Sequence, residues 1–153
     1  YERNNTREQA TRVGSGANYG CRGFGSEIVE LNTERNAGIC AEDPADWYAL
    51  SILPCESNSF VVDVVVEPTH VCPQEVYTLR IESLRESFSC GPDGEGPGRH
   101  GRCNELQGGG RQARLYIPPT NSPQLQDVRT AVVHSEPSNP AHFDYKIRFE
   151  VEP

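Results

Sequence analysis

Residues 143–152 read Phe143-Asp144-Tyr145-Lys146-Ile147-Arg148-Phe149-Glu150-Val151-Glu152. Apolar and charged side chains alternate without a break. Successive side chains of a strand point to opposite faces. Phe143, Tyr145, Ile147, Phe149 and Val151 then share one face, and the charged residues share the other. At a helical period the same apolar residues scatter around the axis. The stretch predicts a strand with one face in a core and one in water.

The same period recurs upstream. Asp127 to His134 (DVRTAVVH) predicts a strand. In 113–117, Ala113, Leu115 and Ile117 alternate with Arg114 and Tyr116, and Pro118-Pro119 ends the run. In 76–81, Tyr77, Leu79 and Ile81 oppose Thr78 and Arg80. Phe60 to Val66 (FVVDVVV) is a β-branched run and predicts a central strand. Trp47 to Leu53 is a further strand. Since Trp47 and Tyr48 begin it, one faces inward, and Trp47 is read as the core anchor rather than a sugar-stacking platform. Between the strands lie turn-rich stretches at 67–75, 89–110, 118–126 and 135–142. The 89–110 stretch is a long polar, glycine-rich loop. Short strands separated by turns predict an all-β, jelly-roll-like β-sandwich over residues 27–153.

Residues 1–26 are different. They are polar and rich in glycine and asparagine, and Tyr1, Val13, Tyr19 and Phe24 are too scattered for an amphipathic helix. This segment predicts an extended N-terminal arm that needs something to lie against. Tyr1, Val13 and Tyr19 are its candidate assembly residues.

The chain has 153 residues, 35% of them apolar, with 14 glycines, 12 prolines and a net charge of −8. Such an acidic balance argues against nucleic acid, which needs a basic stripe, and permits cations. No apolar run approaches the roughly 20 residues that span a bilayer. There is no methionine, which a removed signal peptide explains, as does excision from a larger secreted protein. Lys146 is the only lysine, and this arginine bias suits a GC-rich bacterial genome.

The six cysteines are Cys21, Cys40, Cys55, Cys72, Cys90 and Cys103. None has a neighbour at the two-to-four-residue spacing of structural zinc ligands. An even count without zinc spacing predicts three disulfides in an oxidising, extracellular compartment. Six cysteines allow fifteen pairings. The set taken here is Cys40–Cys55, which joins neighbouring segments, Cys90–Cys103, which closes the glycine-rich loop, and Cys21–Cys72, which remains.

No catalytic pattern is present. His70, His100, His134 and His142 share no ligand spacing, and the Gly-x-Ser-x-Gly, His-Glu-x-x-His and P-loop patterns are missing. The chain reads as a non-enzyme without a required cofactor. Oxygen donors do gather in one short region: Glu30, Asn32, Asp43 and Asp46, with Glu42 beside them. Calcium takes about six to eight oxygen ligands, so this set offers part of a site. Turn bonding and solvation account for the same residues.

Residues 28–66 also resemble a known family. Glu30, Asn32 and Ala37, then Asp46-Trp47-Tyr48, then Phe60 to Val66, and finally Tyr145-Lys146-Ile147-Arg148-Phe149, are similar to the bacterial pre-peptidase C-terminal domain. Cys40 and Cys55 resemble the cysteine pair of its secreted myxobacterial-type members. The match covers residues 28–66 and 143–151. The family's Gly-x-Tyr-Tyr-x-Arg-Val strand is not evident, and the Cys90–Cys103 loop and the arm are atypical. The resemblance implies a non-catalytic jelly-roll-like sandwich, which in some members binds calcium, collagen or polysaccharide.

These readings lead to a functional expectation. The chain is a secreted, non-catalytic structural subunit whose partners are copies of itself, assembled into a surface fibre or sheath by strand addition of the arm. The alternative is a calcium- or polymer-binding accessory module of a secreted enzyme.

Overall fold

A computed structural model describes residues 6–13, 19–21, 28–29, 32–39, 45–56, 58–69, 77–83, 87–91, 101–120, 127–135 and 143–152. The strands among them are β1 (Thr11–Arg12), β2 (Tyr19–Cys21), β3 (Ile28–Val29), β4 (Asn32–Ile39), β5 (Ala45–Leu53), β6 (Phe60–Pro68), β7 (Tyr77–Glu82), β8 (Ser87–Cys90), β9 (Gly101–Glu105), β10 (Arg111–Ile117), β11 (Asp127–Ser135) and β12 (Phe143–Glu152). No helix among the described residues is long and apolar enough to cross a membrane.

The strands form two sheets. One runs β3-β2-β5-β11-β7-β8, with β1 also on β5; the other runs β4-β12-β6-β10-β9. Consecutive strands change layers: β4 to β5, β6 to β7, β11 to β12. In one sheet β12 lies between β4 and β6, and in the other β11 lies between β5 and β7. The same neighbours meet in both layers, which is a jelly-roll-like wrap. The chain is therefore an all-β, disulfide-stapled sandwich.

Alternation decides what enters the core. On β12 Tyr145, Ile147, Phe149 and Val151 are buried, and Asp144, Lys146, Arg148, Glu150 and Glu152 are not. On β6 Phe60, Val62, Val64 and Val66 join the core cluster. Tyr48, Leu50 and Ile52 of β5 meet them from the other sheet, and the Tyr48 and Phe149 rings lie 5.7 Å apart. Burying each such side chain is worth about 1.5–3 kcal/mol.

Three expectations change. Tyr48, not Trp47, is the core anchor of β5. Leu50 and Ile52 set the inward parity, and Trp47 stands half-buried on the outer face with the Arg80 guanidinium carbon 5.7 Å from its ring centroid. The 89–110 stretch is not one loop: it includes the end of β8, all of β9 and a tight turn into β10. In that turn Leu106 N–H donates to Gly110 O at 2.8 Å, and Gly108 (φ 71°) and Gly109 (φ 81°) adopt the left-handed backbone that glycine accepts readily. The 67–75 stretch begins inside β6, which continues through Pro68.

One margin of the sandwich is covalently closed. β8 ends one sheet and β9 ends the other, and the Cys90–Cys103 disulfide joins them with Cα atoms 5.4 Å apart. Gly101 packs under Phe88 there; a Cβ at Gly101 would stand 2.3 Å from a ring carbon.

Candidate functional site

The opposite flank of β5 is closed by the N-terminal segment. β1 pairs with β5 in parallel, Thr11 opposite Tyr48 and Arg12 opposite Ala49. β2 continues along the same edge, also in parallel, Tyr19 opposite Ile52 and Gly20 opposite Leu53. Beyond it β3 pairs with β2 in antiparallel fashion. Between β1 and β2 the Val13 N–H donates to Ala49 O at 3.0 Å. The Val13 side chain is only 3% exposed and belongs to the core cluster. Its neighbours on β1 stay outside: Thr11 is half-buried and Arg12 exposed. Ahead of β1 a short 3-10 turn, Arg7–Gln9, is exposed. The described part of the arm is thus docked on β5, with Val13 as an apolar plug.

Behind this edge lies a buried polar chain. Tyr145 O–H donates to an Asp46 carboxylate oxygen at 2.6 Å, and the Tyr48 and Tyr145 hydroxyls lie 2.8 Å apart. All three residues are at most 2% exposed. Burial, followed by the nearby Tyr48 and Asp46 charges, holds the Tyr145 pKa well above the ordinary tyrosine value. Near the closed margin a second chain forms. Arg111 donates to Tyr77 O and to Cys90 O, its guanidinium lies over the Tyr77 ring at 4.4 Å, and Tyr77 O–H donates to Gly109 O at 2.7 Å. These satisfied groups tie the two layers together.

The outer face of the β4–β9 sheet is a lattice of ion pairs. Arg114 holds Asp63 through two hydrogen bonds of 3.0 and 3.1 Å and reaches Glu152 at 3.0 Å. The bonds to Asp63 raise the Arg114 pKa further. Lys146 meets Glu34 at 3.2 Å, and Arg148 meets Glu67 at 3.1 Å. Among the described residues Asp63, Glu150 and Glu152 bring carboxylate oxygens within 4.8 Å of one another. Arg114 already supplies a cation to two of them, so the group acts as part of the lattice. Sequence reasoning passed over this cluster, although a lone aspartate in the valine run 60–66 marked it.

Of the calcium candidates, Asp46 and Asn32 are on described strands, in different sheets. Asp46 sends its carboxylate into the interior toward Tyr145. Asn32 lies in the other sheet, at the register position of Glu150. Glu30 and Asp43 lie outside the described residues. Of the arm residues, Val13 is the core plug and the Tyr19 backbone pairs with β5, while Tyr1 lies outside the described residues. Cys90 and Cys103 are bonded to each other. Cys55 is disulfide-bonded too, and its partner lies outside the described side chains, as do Cys21, Cys40 and Cys72. His134 is half-buried on the outer face of β11; the other histidines lie outside the described residues.

Compared with protein-family models and with curated proteins, the chain matches none.

Proposed function

We propose that this chain is a non-catalytic extracellular subunit that self-associates into a surface fibre, sheath or similar assembly. The observation that carries the reading is the docked arm: a polar segment whose described residues are held on the β5 edge by parallel pairing and the buried Val13 side chain. Backbone pairing of that kind is a general means of joining chains edge to edge. The disulfides at Cys90–Cys103 and at Cys55 support an oxidising, secreted setting. The resemblance to the pre-peptidase C-terminal domain belongs to the same proposal. Of its motif residues, Asn32 and Ala37 lie on β4, Asp46 to Tyr48 on β5, Phe60 to Val66 on β6 and Tyr145 to Phe149 on β12, while Glu30 and Cys40 lie outside the described residues. The test is light scattering of the purified chain over a rising concentration series, with electron microscopy of the products. Growing assemblies are expected; a chain that stays monomeric throughout rejects the proposal.

The outward placement of Trp47 favours a second reading, a polymer-binding module. Ala45 and Ala49 flank Trp47 on the same face of β5. As the only tryptophan, Trp47 reports on its own surroundings. Titration with soluble polysaccharide or collagen peptides changes its fluorescence if this reading holds, and unchanged emission with both removes it.

A further inference from the structure

We infer that the arm is an exchanged strand. In the assembly, residues 11–13 of one copy fill the β5 edge of the next, where they lie on their own β5 in the single chain. The inference rests on the self-association proposed above and names the surface through which it runs.

The form of the docking carries it. Among the described residues, the pairings of β1 and β2 with β5 are the parallel ones; the rest are antiparallel. A parallel partner is never delivered by a tight hairpin, so no short turn ties the arm to the strand it covers. β1 also precedes every other described strand. Among the described residues, backbone pairing and the Val13 side chain hold it. The Val13 N–H bond to Ala49 O and the burial of Val13 are the same whether the segment comes from its own chain or from another copy.

The vacated site selects the same segment. Lifting β1 bares backbone groups at Tyr48 and Ala49 and opens the core where Val13 stood. A bare edge with an apolar hole is a template for an incoming strand. It accepts an extended segment with one small β-branched side chain whose N–H reaches Ala49 O, and polar neighbours that remain outside the core. Thr11-Arg12-Val13 meets that description. Each copy carries one such segment and one such edge, so an arm that passes to the next copy leaves its own edge to be filled in turn.

Two single-substitution chains test this. Arg12 and Ala49 are register partners, so Arg12→Cys on one chain and Ala49→Cys on another meet across the edge only if the arm has changed chains. The two full-length variants are mixed, concentrated and mildly oxidised, and the products are mapped as peptides. Covalent dimers joined between position 12 of one chain and position 49 of the other are expected. Assemblies that form without that linkage overturn the exchange and leave self-association standing. A mixture that never assembles overturns both. A chain carrying both substitutions, oxidised as a dilute monomer, has its arm locked at home and is expected to lose assembly. Undiminished assembly of that locked monomer also overturns the exchange.

Discussion

The two margins of the sandwich meet the same problem in opposite ways. At the margin formed by β8 and β9, the edge strands are short, four and five residues, and a disulfide joins them across the layers. Phe88 fills the remaining space against a glycine that leaves room for it. On the flank of β5 the edge belongs to a nine-residue strand of the core and is covered by two short parallel strands and the side chain of Val13. A covalent staple takes an edge out of exchange between molecules. A docked strand protects the edge equally well while it is bound, and gives it up when it leaves. The difference separates a margin closed by a covalent bond from one on which the proposed association depends.

The largest expected effect is at the stapled margin. Replacing both Cys90 and Cys103 by serine frees a loop whose ends are 13 residues apart in sequence. The loss is about 3 kcal/mol of global stability, read from the urea midpoint. An unchanged midpoint would remove the contrast between the margins. Next comes Gly101→Val, which drives a side chain into the Phe88 ring. It costs about 2 kcal/mol by overpacking, with a matching fall in thermal midpoint.

On the arm side, Val13→Ala removes two buried methyl groups and costs about 1.5 kcal/mol. With the arm as its own unit of opening, hydrogen exchange should speed up at the Val13 amide while amides of β6 and β12 keep their protection. Equal acceleration in β6 and β12 would mean that the arm is not a separate unit.

Between the margins, the Tyr145 chain supplies a pH test. In the unfolded chain Tyr145 ionises near the ordinary value of about 10, whereas in the fold it keeps its proton to higher pH. Above about pH 10 the unfolded state therefore binds fewer protons, and stability falls as pH rises. The urea midpoint measured from about pH 9 to about pH 11 should fall, and Tyr145→Phe should flatten that fall. The smallest effect belongs to the exposed lattice. Lys146→Ala breaks the pair with Glu34, both partners about a third or more exposed, and changes stability by about 0.5 kcal/mol or less.

Much of the architecture was legible along the chain. The alternation at 143–152 and the valine run at 60–66 specify their strands locally, because a side-chain period of two needs no information from elsewhere. β4 and β9 were harder to read. Asn32–Ile39 and Gly101–Glu105 carry few apolar residues, and pairing with β12 and β10 holds them in strand form. The inward parity of β5 was written in Leu50 and Ile52, yet the lone tryptophan beside Tyr48 drew the reading to the wrong face.

By itself, the sequence determined the class of fold: period-two patterning, turn residues between the runs, and an even set of cysteines without zinc spacing. Tertiary structure alone decided which strands became neighbours, that Arg114 would stand over Asp63, and that Val13 of a polar arm would enter the core beside Ala49. Those outcomes depend on register between segments far apart in the chain. Register is fixed only when whole faces pack, since one residue of slip turns every buried side chain outward.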